Sequence, residues 1–148
     1  MKIINTNRKA RHDYFLLDSF EAGIVLTGTE IKSIRKNGVN LKDCFVRISN
    51  DLQASVVNLH ISHYDHGNRF NHDETRERKL LLHKSEIKKL LQESKEKSLT
   101  IVPTKIYYTR GMVKLEIALA QGKKLYDKRE VEKKRDADRE IKKFLKNY

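Results

Sequence analysis

A strand–turn–strand pattern in the last third of the chain constrains its fold most strongly. Residues 99–109 and 112–120 are both rich in apolar and β-branched side chains, and only Arg110 and Gly111 separate them. In the second segment one face carries four apolar side chains, Val113, Leu115, Ile117 and Leu119. Two such runs joined by a two-residue turn with glycine are typical of a β-hairpin. The pattern therefore predicts a hairpin with Lys114 on the outward face.

Other segments of the first 120 residues also favour strands. Residues 14–26 are rich in β-branched and aromatic side chains, with a break predicted at 21–23. Apolar positions repeat with a period of two in residues 44–48 and again in residues 52–61, as in half-buried strands. Pro103 cannot donate a hydrogen bond to a neighbouring strand, so it predicts an edge or a bulge.

Two short helices interrupt the strands. Thr27 and Glu30 have the spacing of a capping box, and Asn37–Gly38 supplies a stop signal after it. Residues 85–97 place their apolar side chains on one helical face. Many short strands, two short helices and one core predict a mainly β fold, in which an antiparallel sheet forms a closed or nearly closed barrel.

The charge of the chain indicates its class of partner. The sequence contains 32 Lys and Arg against 20 Asp and Glu, a formal net charge of +12, and 38% of its 148 residues are hydrophobic. That fraction suffices for one core of ordinary size. No apolar stretch is long enough to span a membrane, and the first residues lack the apolar segment of a secretory signal. We therefore predict a soluble, cytoplasmic protein whose partner is a polyanion, RNA or DNA.

The basic excess rises towards the C-terminal end. From Gln121 to Tyr148 there are 11 Lys and Arg against 6 Asp and Glu, a net charge of +5, and the last glycine, Gly122, lies at the start of this segment. We therefore predict an RNA-binding β-barrel domain over residues 1–121 and a basic tail over residues 122–148. Because the tail contains few apolar side chains, it is expected to be disordered alone and helical when a negatively charged RNA scaffold neutralises its cations.

A cluster of cations directly precedes the first aromatic-rich strand. Within residues 7–12 the candidate RNA-binding side chains are Arg8, Lys9, Arg11 and His12. Cations neutralise phosphates while an aromatic side chain such as Tyr14 can stack on an unpaired base, a combination suited to single-stranded RNA. The plain alternative is a solvated N-terminal arm. Residues 35–36, residues 76–79 and Lys114 would extend the basic surface if the fold brings them together.

Four histidines lie close together in the sequence, at His60, His63, His66 and His72. A zinc site needs three of them to converge on one ion. A spacing of three in an extended segment instead points successive side chains to opposite faces. We therefore favour a polar loop that contacts phosphate or ribose over a metal site, and we expect no metal and no other cofactor.

The residues offer little for catalysis. Glu30 and Lys32 match half of the carboxylate–x–lysine site of a nuclease, but Glu30 already has a capping role and Mg²⁺ would need a second acidic ligand. The single cysteine, Cys44, excludes internal disulfides and a cysteine-rich zinc site, and its strand position predicts a small core residue rather than a nucleophile. A protein that is not an enzyme is favoured, with a metal-dependent nuclease as an alternative.

Five segments resemble the SsrA-binding protein (SmpB) family. They are NRKARHDYF (7–15), FEAGIVLTGTEIKS (20–33), NRFNHD (68–73), RKLLLH (78–83) and GKKLYDKR (122–129). The likeness runs from about Asn5 to the C-terminus in the same order. Five segments in register make the resemblance specific, although each alone would be weak.

The resemblance implies an oligonucleotide-binding-type barrel that holds the tRNA-like part of transfer-messenger RNA. Members of the family escort this RNA into ribosomes stalled on messages without a stop codon, and they act on no membrane or small-molecule substrate. It implies RNA-binding roles for Tyr14, Glu21, Leu81 and Lys114. It implies contacts with the decoding region and mRNA channel of the ribosome for Gly122, Lys123, Lys124, Asp127, Lys128 and Arg129.

One residue departs from the family pattern. Tyr126 lies where many members have histidine, directly before Asp127. Tyrosine retains the ability to stack on a base and loses proton donation near neutral pH, so the substitution favours a stacking role in the ribosome-binding tail. Without the resemblance, a generic single-stranded RNA- or ribosome-binding barrel explains the residues equally well.

Overall fold

A computed structural model of the chain describes residues 1–64 and 71–123. In these two stretches the elements, in chain order, are β1 (Lys2–Thr6), α1 (Arg8–Asp13), β2 (Tyr14–Ile24), α2 (Gly28–Arg35), β3 (Val39–Asn40), β4 (Phe45–Ile48), β5 (Ala54–Val57), β6 (His60–Ile61), β7 (Arg78–Leu81), α3 (Lys84–Glu96), β8 (Thr100–Thr109) and β9 (Met112–Gly122). None of the helices in this part of the chain has the length and apolar composition that crossing a membrane requires.

One large antiparallel sheet dominates the fold. Its seven strands lie in the order β1, β8, β9, β2, β7, β5 and β4, while β3 and β6 form a small second sheet. The predicted mainly β class with an antiparallel sheet and short helices is confirmed. The sheet is not closed, because β1 pairs only with β8 and β4 only with β5, so the fully closed barrel is not formed. Both edge strands are short, which limits the backbone left unpaired at the open edges.

The predicted hairpin is confirmed as β8 and β9. Thr109 pairs with Met112 across the turn, and both Arg110 and Gly111 have positive φ, 51° and 74°. Two positive φ angles match the right-handed twist of the flanking strands. The register of β8 shifts by one residue just after Pro103, which confirms the bulge predicted there.

The core lies on the face of the sheet that the alternating pattern of β9 predicts. Leu115, Ile117 and Leu119 are almost completely buried. Burying one such side chain contributes about 1.5–3 kcal/mol, so this face anchors the sheet. Cys44 is also buried, its thiol donates a hydrogen bond to the Leu41 carbonyl, and burial raises its pKa to about 12. Its predicted role as a core residue is confirmed.

Local structure differs from the predictions in three places. β2 continues through residues 21–23 without the expected break, because β9 and then β7 pair with it there. The single strand expected over residues 52–61 is two strands, since Asn58 has a φ of 63° between β5 and β6. The basic residues after Asn7 form the helix α1 rather than an extended arm.

Candidate nucleic-acid interface

The helix α1 is held in place by Asn7. The Asn7 side chain accepts a hydrogen bond from the Ala10 amide at 3.0 Å, and its own amide group donates to the Pro103 carbonyl at 2.8 Å. Ala10 is the buried residue of the helix and packs against Val102 and Ala120. A capped first turn and one buried residue explain why so short a helix forms and how it is attached to the sheet.

All four basic candidates on α1 lie on its exposed side: Arg8, Lys9, Arg11 and His12. Lys9 forms an ion pair of 2.5 Å with Asp43, whose hydrogen bond raises the pKa of Lys9. Within residues 1–64 and 71–123, no carboxylate lies within ion-pair distance of Arg8 or Arg11. The helix therefore presents two arginines to a polyanion without first having to break an ion pair.

Tyr14, directly after the helix, is half-buried rather than free to stack fully. Its ring packs against the small cluster of Ala10, Val102 and Ala120, together with Leu16. Tyr14 therefore fixes α1 on the sheet, and only part of its ring is available to a base.

A second group of candidates lies along one row of the sheet. Leu81 of β7 pairs with Gly23 of β2, Gly23 pairs with Lys114 of β9, and Lys114 pairs with Tyr107 of β8. Directly paired residues project to the same face of a sheet. Leu81 and Lys114 therefore share a face, and the predicted outward direction of Lys114 is confirmed by the burial of Leu115 beside it.

Gly23 allows this row to be compact. A Cβ atom at position 23 would lie 3.1 Å from the Leu81 Cβ, closer than side chains ordinarily approach. With glycine there, Leu81 lies over the strand while remaining 53% exposed. An exposed leucine beside a lysine offers an apolar contact and a cation to the same nucleotide.

The helix α1 and the Leu81–Lys114 row lie on the same face of the sheet. Ala120 packs against Ala10 of α1, and Ala118 pairs with Val102 of the same cluster. Along β9 these two alanines occupy every second position together with Lys114 and Glu116. Side chains two residues apart on a strand point the same way. The core-facing residues of β9 occupy the other set of positions, so we call the α1-bearing side the outer face.

Two carboxylates occupy the middle of the outer face. Glu21 and Glu116 are directly paired across β2 and β9, an arrangement that repels unless other groups compensate it. Glu21 accepts a hydrogen bond from the Tyr107 hydroxyl at 2.5 Å. Glu116 accepts one from the Thr104 hydroxyl and lies 3.8 Å from the Lys105 ammonium. The family resemblance implied a role for Glu21, but the sequence did not indicate Tyr107 as its partner or Thr104 and Lys105 as the partners of Glu116. The sequence of one strand does not show its register with its neighbours.

The predicted stripe of cations at residues 76–79 is wrong for its two arginines. Arg78 is completely buried, where its Nε bonds to Glu30 and its Nη1 donates to the Leu59 carbonyl at 2.6 Å. Arg76 binds the same carboxylate at 2.6 Å. Burial alone would raise the pKa of Glu30, but the hydrogen bonds from Arg76, Thr27 and Arg78 outweigh it and hold the pKa below its ordinary value.

This buried cluster also settles the role of Glu30. Its side chain accepts from the Thr27 amide at 2.8 Å, which completes the predicted capping box of α2. Both of its oxygens are thus used inside the fold. Glu30 supports α2 and the segment that carries Arg76 and Arg78, and it is not placed to act as a nuclease ligand.

Two of the histidine candidates, His63 and His72, are in edge-to-face contact with ring centroids 5.7 Å apart, but no third histidine of the described residues joins them. His72 is buried, with Nδ1 2.9 Å from the Thr29 hydroxyl and Nε2 2.8 Å from the Ile61 carbonyl, so it is a packing residue rather than a phosphate contact. His60 lies 3.2 Å from Glu74 on another side. No group of three or more potential metal ligands occurs in the part of the chain that the structure describes. His66 lies outside the described residues.

The described chain ends beside α1. Gly122 pairs with Tyr14, and the Lys123 amide donates to the Asp13 carbonyl at 2.8 Å. The Lys123 ammonium lies 5.2 Å from the centre of the Phe15 ring, a cation–π distance. The other predicted ribosome-binding residues lie outside the described residues: Lys124, Tyr126, Asp127, Lys128 and Arg129.

Comparison with known proteins agrees with this geometry. The SmpB protein family model matches residues 4–147. The SsrA-binding protein of Ligilactobacillus salivarius is 58% identical over 96% of this chain and 91% of its own length. That of Shouchella clausii is 54% identical over 98% of this chain and 92% of its own length.

A solved structure is also similar. It is described by the words "tmRNA-SmpB: a journey to the center of the bacterial ribosome", and it matches with a TM-score of 0.68 and 46% identity over 80% of this chain and 83% of that chain. Both the sequence and the fold therefore lead to one conclusion. The chain belongs to the SmpB family.

Proposed function

We propose that this chain is an adaptor that binds the tRNA-like part of transfer-messenger RNA and delivers it to stalled ribosomes for tagging of the unfinished peptide. Family membership and the similar chain in a structure of tmRNA, SmpB and the ribosome support this role. The observation that carries it is the outer face, where the cations of α1 and the Leu81–Lys114 row lie on one side of one sheet.

The outer face divides the work of RNA binding between its parts. Arg8 and Arg11 neutralise phosphates, which contributes affinity without reading sequence. At the other end Lys114 adds a further phosphate contact and Leu81 packs against a base or ribose. Glu21, between them, accepts a hydrogen bond from a base amino group or a ribose hydroxyl. Only an RNA whose fold matches all three parts engages the whole face.

We assign ribosome binding to a second part of the chain. Residues 1–121 form the RNA-binding domain and residues 122–148 form a basic tail that contacts the decoding region and the mRNA channel. Tyr126 stacks on a ribosomal base, while Lys124, Lys128 and Arg129 neutralise phosphates. The net charge of +5 over residues 121–148 supports this division. The adaptor works in the cytoplasm with ribosomes, and it carries out no reaction of its own.

The test compares two RNAs of equal length and charge, one the tRNA-like part of transfer-messenger RNA and one unstructured. We expect the chain to prefer the tRNA-like RNA at moderate salt. Equal affinities would instead indicate the second candidate, a generic single-stranded RNA-binding protein, which the basic helix α1 alone would explain.

The substitution Glu21→Lys sharpens this test. It replaces a negative charge on a polyanion-binding face, so a purely electrostatic surface would bind both RNAs more tightly. We expect weaker binding of the tRNA-like RNA, because a specific acceptor is lost. Tighter binding that keeps its preference would refute the role of Glu21.

The tail is tested by deleting residues 124–148, which leaves every element of the outer face in the chain. We expect unchanged affinity for the tRNA-like RNA and loss of peptide tagging on a message without a stop codon. Normal tagging by the shortened chain would show that the tail is dispensable, and lost RNA affinity would place the tail in the RNA site.

A further inference from the structure

Tyr107 reaches across a strand to hold Glu21. Its hydroxyl donates to Glu21 Oε2 at 2.5 Å, although the two residues lie on β8 and β2, with β9 between them. Tyr107 is only 4% exposed, whereas Glu21 lies on the surface. A ring fixed by burial therefore restrains a carboxylate that would otherwise be mobile.

The two carboxylates of the outer face are engaged differently. Both oxygens of Glu116 face a partner, since Oε2 accepts from Thr104 and Oε1 lies 3.8 Å from the Lys105 ammonium. Glu21 uses only Oε2, and Tyr107 is its one hydrogen-bond partner in residues 1–64 and 71–123. Glu21 Oε1 thus remains able to accept a hydrogen bond from a ligand.

Restraint of this kind changes binding without adding a contact. An exposed glutamate samples many rotamers, and ordering it on binding lowers affinity. A carboxylate already held in place avoids that loss. Tyr107 can hold it over the whole neutral range, because burial and then the neighbouring Glu21 carboxylate raise the pKa of its hydroxyl.

We infer that Tyr107 is a positioning residue that orients Glu21 as the hydrogen-bond acceptor for a donor group of the bound RNA. The donor is the amino group of an unpaired base or a ribose 2′-hydroxyl. The inference rests on the proposed function. A carboxylate between two basic regions can thereby contribute selectivity. The Glu21 carboxylate repels the phosphates of every RNA, and only an RNA that presents a hydrogen-bond donor at this point compensates the repulsion.

The test uses the full chain with Tyr107→Phe, which removes a single hydroxyl. The neighbouring residue provides a matched control, since the Tyr108 side chain packs on the core side and its buried hydroxyl has no partner among the described residues. Each variant is measured for its affinity and salt dependence with the tRNA-like RNA and with the unstructured RNA. Both are also combined with Glu21→Ala, which removes the acceptor.

We expect Tyr107→Phe to weaken binding of the tRNA-like RNA by about two- to tenfold, the effect of ordering one flexible side chain on binding. Binding of the unstructured RNA should stay unchanged, and so should the salt slope, because no phosphate contact is lost. In the Glu21→Ala background, where no acceptor is left to orient, the same substitution should have little further effect. Tyr108→Phe should change neither affinity.

Interference with modified RNA separates the two donors. Inosine in place of guanosine removes a base amino group, and a 2′-deoxy nucleotide removes a ribose hydroxyl. One of these RNA changes should weaken binding to the wild-type chain and leave binding to the Tyr107→Phe variant unchanged. That change identifies the RNA group that donates to Glu21.

Three results would overturn the inference. Tyr107→Phe could leave the affinity for the tRNA-like RNA unchanged, or it could lower the affinities for both RNAs equally. It could also lower the affinity by the same factor whether or not Glu21 is present. If the wild type itself fails to prefer the tRNA-like RNA, the proposed function fails and the inference fails with it. A wild-type preference that Tyr107→Phe retains in full would refute the inference alone.

Discussion

Arginine has opposite uses in two regions of this molecule. On α1, Arg8 and Arg11 are exposed, and no carboxylate in the described stretches lies within ion-pair distance of them. Beneath α2, Arg78 is completely buried on Glu30. The exposed Arg8 and Arg11 can bind a polyanion and contribute little to folding. The buried Arg78 stabilises the fold and is inaccessible to RNA. A count of basic residues therefore overstates the charge that a partner meets.

The largest expected effect comes from breaking the buried pair. Arg78→Ala removes one of the two guanidinium groups that pair with the buried Glu30 carboxylate, and it leaves the Leu59 carbonyl without its donor. Because removing one partner of a buried ion pair is strongly destabilising, we expect a loss of up to roughly 3–5 kcal/mol in the free energy of unfolding. Chemical denaturation monitored by circular dichroism measures it. The matched control is Arg11→Ala, which should change stability by less than about 0.5 kcal/mol. Equal effects at the two positions would remove the distinction between the regions.

The pH dependence of stability tests the same cluster. Because the pKa of Glu30 is lowered in the folded chain, its contribution is complete above the pKa of the unfolded chain, about 4.3 for glutamate, and disappears as the pH falls through the folded value. We expect the stability difference between the wild type and Glu30→Gln to shrink as the pH falls from 6 towards 3. A difference that is constant over this range would show that folding does not lower the pKa of Glu30.

Substitutions in the exposed region should change the affinity for RNA and leave the free energy of unfolding nearly unchanged. Arg11→Ala and Lys114→Ala each remove one phosphate contact, so each should lower the slope of log affinity against log salt by about 0.7–0.9. Fluorescence anisotropy with the tRNA-like RNA at several salt concentrations measures the slope. If neither affinity nor slope changes in either variant, the RNA lies on another face.

The smallest expected effect concerns Lys9, which combines features of both regions. Asp43 engages it in an exposed ion pair of 2.5 Å. Asp43→Asn should raise RNA affinity by about twofold, because a solvent-exposed ion pair is weak and its loss frees a cation. Asparagine also tolerates the positive φ of 63° at this position. Weaker RNA binding by this variant would indicate that Asp43 itself assists the RNA.

Prediction from the sequence succeeded where the pattern is local. The β8–β9 hairpin, the capping box at Thr27 and the core position of Cys44 all depend on neighbours in sequence, and the structure confirms them. The helix α1 was missed, although Asn7 three residues before Ala10 is an N-cap signal, because a cluster of cations alone does not indicate a helix.

The parts that could not be predicted depend on contacts distant in sequence. Arg78 lies 48 residues from Glu30, and Tyr107 lies 86 residues from Glu21. Nothing in a strand's own sequence shows whether a long polar side chain turns towards solvent or towards a charge on another strand. For this reason the sequence left open whether residues 76–79 join the basic surface, which the arginines bound to Glu30 do not, and it did not indicate the partner of Glu21.

The hydrogen bond from the Lys123 amide to the Asp13 carbonyl sets a geometric limit on the adaptor. It fixes the starting point of the tail beside the basic helix. A chain extends at most about 3.6 Å per residue, so any six residues that follow Lys123 span at most roughly 22 Å. If the proposed assignment holds, the RNA on the outer face and the ribosomal groups that Tyr126 and its neighbours bind are joined by a short tether, and binding to one makes binding to the other intramolecular.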